Sequence, residues 1–376
     1  MTQAKDRQLA DFFSELRDFR VGGRCKHDLL DIVLIVICAT IAGADDFLQI
    51  EEFAIARESW LRDRLGLKLR SGIPSHDTLN RVFALLDPRA VHDCFLKWVS
   101  FASDKLKIKQ IAIDGKAMRG TRKGAIPALV VVSAWATELG MTLAQLQTED
   151  KSNEITAIPE LLDFLDISGA FVTIDAAGCQ KNIAEKIVEK KGDYLLAVKE
   201  NQRRLFEDIE RLASEALENN HAGLSQHLVN EKGHGREEMR FCFVIDQLNS
   251  IRDLDLWKGL KTVVCVVSSR TVNGKTSDET RYYISSREAS AQTFLKAVRS
   301  HWGIENPCHW VLDVAFNEDH HRLREGHAPQ NMALVRKIAL AMLKKVNIKC
   351  GIKTKRMMAA WDVSFLERIL CSFSED

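Results

Sequence analysis

Three short stretches, far apart in the sequence, each place a carboxylate where it could do chemistry. Two are apolar runs of strand character, residues 111–113 and 172–174, and each is followed directly by an aspartate, Asp114 or Asp175. The third stretch places Glu305 inside a helical pattern. Carboxylate oxygens bind hard divalent cations, and two such cations about 3.5–4 Å apart can activate a nucleophile and stabilise the leaving oxygen of a phosphodiester. The three residues therefore predict a catalytic site that binds a pair of Mg²⁺ or Mn²⁺ ions.

Each carboxylate also has a structural interpretation. A single aspartate at a strand end more often forms a turn or caps a helix, but clustered carboxylates repel one another and raise their pKa values until a cation neutralises them. The set of three therefore favours a metal site over a structural role. Three nearby acids are rivals of Glu305 as the third ligand, namely Asp313, Glu318 and Asp319. The histidines and the cysteine of residues 301–327 match no spacing of a closed structural zinc site.

Polar residues close to these carboxylates are candidates for contacts with a phosphate backbone, which would position a nucleic acid without reading its sequence. Four basic residues follow the first aspartate with no acid among them: Lys116, Arg119, Arg122 and Lys123. Further candidates lie just past a strand end and in a glycine-containing loop, namely Lys199, Asn201 and the loop His234-Gly235-Arg236. The alternative for all of them is an exposed turn.

The distribution of charge is more informative than its total. The chain of 376 residues has a net charge of only +1, and its hydrophobic content of 46% is ordinary for a globular protein with a sizeable core. Residues 322–356, however, contain ten Lys or Arg and a single acid, Glu325. We predict that this basic segment is drawn to phosphate. The alternative is a solvated helix face.

Cysteine usage and apolar runs bear on the cellular compartment. The nine cysteines are scattered singly, without a Cys-x-x-Cys motif, which favours a reducing compartment over a disulfide framework. Residues 1–6 are polar and lack the apolar core of a signal peptide. The most apolar run, residues 32–44, is shorter than the roughly 20 residues that span a bilayer. We expect a buried helix there, no membrane partner and a cytoplasmic protein.

The elements that must position the carboxylates follow an all-helical region, predicted as an N-terminal domain of residues 1–105. Ser75 can cap one helix, and Asp87 with Pro88 can begin the next. Two short helices joined by a tight turn are either a DNA-binding helix-turn-helix or a plain helical hairpin. The absence of a basic recognition face favours the hairpin. The basic residues between 105 and 109 mark the domain boundary.

Residues 106–346 are predicted to form an α/β catalytic domain. Strands at residues 111–113, 128–136 and 141–147 form an antiparallel meander, and a helix containing Pro159 follows it. A strand–helix–strand unit over residues 171–198 then gives a right-handed parallel crossover. Such a mixed sheet suits the ribonuclease-H-like fold, in which Asp175 at a strand's carboxyl end lies where open sheets place chemistry.

A β-rich insertion is predicted at about residues 220–288, between the second aspartate and Glu305. Its candidate strands cover residues 227–229, 239–245, 261–268 and 280–284, with Asn273-Gly274 as a hairpin turn. The helix that carries Glu305 is predicted to start near Ser290, and another spans residues 330–346. Residues 347–376 form a basic C-terminal segment.

The chain resembles, nearly end to end, the Asp-Asp-Glu (DDE) transposases of bacterial insertion sequences, and among them the H-repeat-associated proteins linked to Rhs elements. The matching stretches are His27-Asp28-Leu29-Leu30, Ile73-Pro74-Ser75-His76-Asp77-Thr78, Ile113-Asp114-Gly115-Lys116, residues 151–162 (Lys-Ser-Asn-Glu-Ile-Thr-Ala-Ile-Pro-Glu-Leu-Leu), Asp175-Ala176-Ala177-Gly178-Cys179-Gln180-Lys181, His234-Gly235-Arg236-Glu237-Glu238, Arg281-Tyr282-Tyr283-Ile284-Ser285-Ser286 and Asn317-Glu318-Asp319.

The resemblance implies a ribonuclease-H-like core, divalent metal, and transposition through the ends of a DNA element. It assigns Asp114 and Asp175 to the two Asp motifs and Glu305 to the Glu motif. Many relatives have a Tyr, an Arg and a Lys around this Glu, whereas Val298, His301 and Leu312 stand at those positions here. His301 is therefore a candidate DNA contact in place of the arginine.

The expected partner is double-stranded DNA, both element ends and target, and joining two ends implies at least a dimer in the DNA complex. A second hypothesis is a DNA-binding protein that retains the scaffold but no longer transposes. An aspartyl-phosphate phosphatase that uses Asp114 is disfavoured because Lys116 stands where its second aspartate would be.

Overall fold

A computed structural model describes residues 8–20, 25–103, 108–122, 127–148, 154–233 and 235–373. Residues 105–107 of the expected domain boundary, the candidate phosphate contact Lys123 and the loop residue His234 lie outside this part of the chain.

Within the described residues, six helices precede the sheet. They are α1 (Gln8–Phe13), α2 (Leu29–Ile41), α3 (Phe47–Ala56), α4 (Glu58–Asp63), α5 (His76–Leu85) and α6 (Pro88–Ser103). Helix α2 is buried at every position except Leu30, so the expectation of a buried helix in this apolar run is confirmed. No helix within the described residues has the length and apolar character needed to cross a bilayer.

The structure confirms that one helix begins directly after Ser75 and the next begins at Pro88. Hydrogen bonds at the two N-termini explain these positions. The Ser75 hydroxyl accepts a hydrogen bond from the Thr78 amide, at 3.4 Å, and satisfies one of the free donors at the start of α5. Asp87 accepts from the Arg89 amide at 3.0 Å, and Pro88 takes the first position of α6, where its missing donor costs nothing.

The predicted meander and the predicted parallel strand–helix–strand pairing are also confirmed. Strands β1 (Gln110–Met118), β2 (Leu129–Ala136) and β3 (Met141–Thr148) pair antiparallel in sequence order. After helix α7 (Glu154–Asp163), strand β4 (Phe171–Ile174) pairs parallel with β1. Helix α8 (Lys181–Glu189) then leads to strand β5 (Asp193–Val198), which is parallel to β4.

The strands of the predicted insertion extend this sheet instead of forming a separate one. They follow helix α9 (Arg203–Glu218) and are β6 (Ser225–Gly233), β7 (Arg236–Ile245), β8 (Thr262–Val272) and β9 (Lys275–Ser285). Strand β9 pairs antiparallel with β5, so the nine strands that the structure describes form one mixed sheet in the order β3-β2-β1-β4-β5-β9-β8-β7-β6.

The chain after the sheet is helical. It comprises α10 (Ala291–His301), a π-helical segment (Glu305–Trp310), α11 (Val311–Ala315), α12 (Ala328–Lys345), α13 (Ile352–Trp361) and α14 (Val363–Leu370). Helix α12 is buried along most of its length and contacts both α2 and β3. Glu367 of α14 accepts a hydrogen bond from the Trp60 indole of α4 at 2.8 Å, so the C-terminal helices pack on the N-terminal ones.

The expectation of a basic segment drawn to phosphate is wrong for part of residues 322–356. Four of its cations are buried, and they contact groups inside the protein instead of solvent: Arg336, Lys337, Lys355 and Arg356. The Lys337 ammonium donates to the Ser133 hydroxyl at 2.6 Å, and the Lys355 ammonium donates to the Val346 carbonyl at 2.7 Å.

Candidate active site

The sheet register brings the two aspartates side by side. Ile113 of β1 pairs with Ile174, the last residue of the parallel strand β4, and Asp114 and Asp175 are the next residues along the chain. Neighbouring strands lie about 4.8 Å apart, so the two aspartates follow directly from adjacent positions on the sheet. Asp114 does not end its strand, because β1 continues to Met118 through its pairing with β2. It lies where the pairing with β4 stops.

Burial and mutual repulsion act on these carboxylates. The pKa of Asp114 is raised to about 7 by burial and by the negative charge of Asp175, with smaller contributions from Glu305 and Glu154, although the Gly115 amide donates to it at 2.9 Å. Burial also raises the pKa of Glu305; Arg281 opposes this shift and Asp175 adds to it. Asp175 and Glu305 therefore act electrostatically on Asp114, and Asp175 acts on Glu305, as like charges do when they lie near one another.

This donor set fits hard divalent cations in its chemistry. It offers carboxylate oxygens whose mutual repulsion a cation would relieve. Within the described residues, however, no three His, Cys, Asp or Glu side chains are arranged as a group that could hold one metal ion. Asp114, Asp175 and Glu305 are thus electrostatically coupled in this conformation without forming a closed ligand set.

Glu305 does not lie on the helix that was expected to carry it. Helix α10 ends at His301, and Glu305 begins a π-helical segment after a short turn. The wider winding is seen in the hydrogen bond from the His309 amide to the Ile304 carbonyl, five residues earlier, at 2.9 Å. His301 and Glu305 therefore do not share the regular helix face that their spacing predicted. Segments of π-helix inside helices occur frequently at functional sites.

The π-helical segment also places a histidine against Asp114. His309 is buried, and its Nδ1 lies 3.4 Å from an Asp114 carboxylate oxygen. Burial lowers the pKa of His309 to about 3, so the imidazole is neutral near pH 7. Its Nε2 is buried without a hydrogen-bond partner in the part of the chain that the structure describes. A neutral imidazole can donate from only one nitrogen, and Nδ1 is the one that faces Asp114.

His301 was expected to contact DNA, but the structure directs it inward. Its Nδ1 lies 2.9 Å from the Thr173 hydroxyl of β4, two residues before Asp175. Burial lowers the pKa of His301 to about 4. This placement gives the imidazole a role inside the protein and does not fit a phosphate contact.

Lys116 was likewise expected to contact phosphate, and its position does not fit that expectation. The ammonium is mostly buried and lies 2.6 Å from Asp313, 3.0 Å from Glu318 and 3.3 Å from Asp319. Although burial alone would lower it, the pKa of Lys116 is raised by these carboxylates. Asp313, Glu318 and Asp319 were the alternatives to Glu305 as the third ligand. In the structure all three acids are paired with Lys116.

The other candidate contacts are exposed. Arg119 extends into solvent with 84% of its side chain exposed, and Arg122 is exposed beside it. Lys199 and Asn201 lie with Asp175 in a cleft of about 610 Å³, where Asn201 donates to the Ala176 carbonyl at 2.7 Å. Arg236 is exposed at the start of β7. Their positions are compatible with contacts to a phosphate backbone.

One acid beside the site was missed by sequence reasoning. The carboxylate of Glu154 lies against Gly115, so closely that a Cβ at this glycine would come within 2.5 Å of it. Its charge contributes to the raised pKa of Asp114. Glu154 stands in the first turn of α7, where an acid is ordinary because it complements the helix dipole. Spacing alone therefore gave no signal that it faces Asp114.

Two family models match the chain, one for each of its parts. Residues 105–342 match the model described as Transposase DDE domain, and residues 10–99 match the model described as DDE_Tnp_1-associated. The chain belongs to the DDE transposase family. The resemblance inferred from the motifs is thereby confirmed.

Relatives of this DDE transposase match it along almost its whole length. "Putative transposase YncI" of Escherichia coli O157:H7 is 42% identical over 98% of this chain and 95% of the relative. "H repeat-associated putative transposase YhhI" of Escherichia coli strain K12 is 39% identical over 97% of this chain and 98% of the relative. Among solved structures, the piggyBac transposase synaptic complex with hairpin DNA aligns with a TM-score of 0.42 and 11% identity, over 95% of this chain and 76% of that chain.

Proposed function

We propose that this DDE transposase cuts DNA at the ends of an insertion sequence and joins those ends to target DNA, with Asp114, Asp175 and Glu305 as its metal-binding catalytic residues. The observation that carries the proposal is the parallel pairing of β1 with β4, in which paired residues directly precede Asp114 and Asp175; burial and the neighbouring acids raise the pKa of Asp114 to about 7. Desolvated acids that repel one another are unfavourable for stability but are suited to holding a divalent cation.

The strand order supports a ribonuclease-H-like core for this reaction. An antiparallel meander, β3-β2-β1, is continued by the parallel strands β4 and β5, and the two aspartates follow paired positions on its central strands. We assign the fold of residues 106–346 to this type, with β6–β9 as an insertion that lengthens the sheet.

When bound, Mg²⁺ or Mn²⁺ would neutralise the carboxylates and supply Lewis acidity to the scissile phosphodiester. The protein's own residues prepare the site. Asp114, Asp175 and Glu305 would hold the ion, and Nδ1 of the neutral His309 lies 3.4 Å from the Asp114 carboxylate, where a proton on Nδ1 would face it. The DNA end released by cleavage, a 3′-hydroxyl, is the nucleophile for joining, so no covalent protein–DNA intermediate is required. The substrate is double-stranded DNA, and two ends require two copies of the chain.

The proposal is tested with purified protein and DNA that carries the element's own flanking repeats. Asp114→Asn removes a ligand charge at nearly constant volume and should abolish Mg²⁺-dependent cleavage, whereas Asp166→Asn, at an exposed aspartate, should leave cleavage unchanged. Cleavage by the Asp114→Asn variant at the wild-type rate would contradict the proposal.

The third ligand is decided in the same assay by two further variants. Glu305→Gln should abolish cleavage, and Glu154→Gln should reduce it less, because we assign the metal to Glu305 and only an electrostatic influence to Glu154. The opposite order would transfer the role of third ligand to Glu154.

A further inference from the structure

Five arginines line one groove beside the candidate active site. The groove has a volume of about 530 Å³, and its arginines come from strands β7, β8 and β9 and from helix α10; they are Arg236, Arg240, Arg270, Arg281 and Arg299. Strand register places the four strand arginines on a single face, because Glu238 pairs with Arg270 and Val266 pairs with Arg281. Helix α10 covers this face and forms the wall of the groove.

Positive charge exceeds negative charge in this groove. The five guanidinium groups share three carboxylates, those of Glu231, Glu238 and Glu279. Glu238 alone is approached by Arg236 at 3.0 Å and by Arg270 at 3.6 Å. A guanidinium carries five N–H donors, so these pairs leave donors available to an anion. Arg236, Arg270 and Arg299 are 43%, 54% and 44% exposed, and ion pairs of such exposed arginines contribute little to stability, so folding alone does not account for these three.

The groove joins the cleft that contains Asp175. Arg281 and Glu279 line both cavities. On the groove side, Trp302 and Asn306 flank Glu305 in the sequence, and the Arg281 guanidinium lies 4.6 Å from the Trp302 ring centroid. A polar track therefore runs from Asp175, past Arg281, to the outer strands of the insertion.

We propose that this groove binds the sugar–phosphate backbone of the DNA strand that leads away from the carboxylates, with Arg281 contacting the phosphate nearest to them. The inference rests on the proposed function, since it assigns a path to the same substrate. Arginine suits this role because its planar fork pairs with phosphate oxygens through two hydrogen bonds. Such contacts are independent of base sequence.

The chain offers a closely matched control for Arg281. Arg287 has the same side-chain exposure, 31%, is paired with Asp193 at 2.9 Å, and lies 4.6 Å from the Phe171 ring centroid. Arg281 is paired with Glu279 at 2.7 Å in a similar way. Phe171 begins β4, so Arg287 lies at the opposite end of that strand from Asp175.

The test is the salt dependence of DNA binding by the full-length chain without divalent metal. A short labelled duplex of arbitrary sequence and a single strand of equal length serve as probes. Each lost phosphate contact should lower the slope of log affinity against log salt by about 0.9 on duplex DNA and about 0.7 on single strands. Arg281→Ser should therefore weaken duplex binding by roughly five- to tenfold near 0.1 M salt, and Arg287→Ser should not.

The triple variant Arg236→Ser, Arg270→Ser, Arg281→Ser should reduce the duplex slope by about three. Thermal unfolding of each variant verifies that the fold is retained. If wild type binds DNA and both variants match it in affinity and slope, the groove is not the path, while the proposed function stands. If wild type binds neither probe, both proposals fail.

Discussion

Asp114 should make the metal-free protein less stable as the pH rises. Its pKa is about 7 in the folded chain, because of burial and then the charge of Asp175, against about 3.9 when unfolded. The folded state thus binds this proton more tightly, so its contribution is favourable below about pH 4 and is lost as pH rises to about 7. Three pKa units correspond to at most about 4 kcal/mol.

The measurement compares wild type with Asp114→Asn in a chelator. Relative to wild type, the variant should gain in melting temperature between about pH 5 and pH 8, because it lacks the acid that must ionise. Mg²⁺ should raise the melting temperature of wild type at the higher pH and have little effect on the variant. If the difference in melting temperature between wild type and Asp114→Asn were the same at about pH 5 and pH 8, the raised pKa of Asp114 would be contradicted.

Lys116 should behave as a structural cation. Its ammonium contacts Asp313, Glu318 and Asp319, and Glu318 is almost fully buried. Although burial alone would raise it, Lys116, Arg336 and Lys337 hold the pKa of Glu318 below its ordinary value. Lys116→Met leaves these acids without their closest cation and should cost about 3–5 kcal/mol in the free energy of unfolding, measured by denaturant titration.

Arg119 is the matched control for this prediction. It follows three residues later and is exposed, so Arg119→Met should change the free energy of unfolding by no more than about 0.5 kcal/mol. If Lys116→Met were equally mild and instead lowered the salt slope of DNA binding, the original expectation of a phosphate contact would be restored.

At the scale of elements, two contacts fix the segment that follows Glu305 against strand β1. His309 meets Asp114, and Asp313 meets Lys116. Asp114 and Lys116 are two residues apart on β1, so their side chains lie on the same face of the strand and both face this segment. The segment with the predicted third carboxylate is therefore held in register with the strand that carries the first.

We expect His309 to position Asp114 for its metal. His309→Leu removes the donor that faces the carboxylate and should lower Mg²⁺ affinity in the cleavage assay by roughly 10- to 100-fold. His309→Asn keeps a donor near the position of Nδ1 and should restore part of that affinity. Equal apparent Mg²⁺ affinity in wild type and both variants would show that His309 only fills space.

Sequence periodicity correctly predicted those helices and strands that have one apolar and one polar face. Helices α5 and α6 and strands β1 to β5 follow the expected order because apolar positions and caps mark them. The strands of the insertion were predicted too short: the first six residues of β9 are exposed polar positions without an apolar alternation. Asn273 and Gly274, both with positive φ, nevertheless form the expected hairpin turn.

The environment of the candidate site was less predictable from sequence than its position in the sheet. An apolar run before an acid was sufficient to select Asp114 and Asp175, although only β4 ends before its aspartate and β1 continues past Asp114. The end of α10 at His301 and the π-helical winding after it depend on how the segment packs, and spacing alone cannot supply that. The same limit explains why Glu154 was missed.

For the whole molecule, the basic segment of residues 322–356 shows that a count of charged residues does not predict which part of the chain lies at the surface. Lys and Arg are rarely fully buried unless paired, so a cluster of them predicts a surface. Here α12 packs between N-terminal helix α2 and strand β3, and α13 packs against α12. Two cations of each helix are buried and bind carbonyls, hydroxyls and acids. The C-terminal helices are therefore part of the core.

Arg356 provides the sharpest test of this interior role. Its guanidinium donates to the carbonyls of Thr40 and Ala44, both at 3.0 Å, and pairs with Asp45 at 2.9 Å, which joins α13 to the end of α2. Arg356→Met leaves buried carbonyls and an acid unpaired and should cost about 3–5 kcal/mol.

Lys353, exposed on the same helix, is the control for Arg356. Lys353→Met should stay within about 0.5 kcal/mol of wild type in a denaturant titration, because no buried group depends on an exposed lysine. At a temperature where both variants are folded, Arg356→Met should bind a labelled DNA duplex with the wild-type salt slope, because a guanidinium held by Thr40, Ala44 and Asp45 cannot release counterions from phosphate. A stable Arg356→Met variant with a reduced slope would instead place this arginine on the DNA.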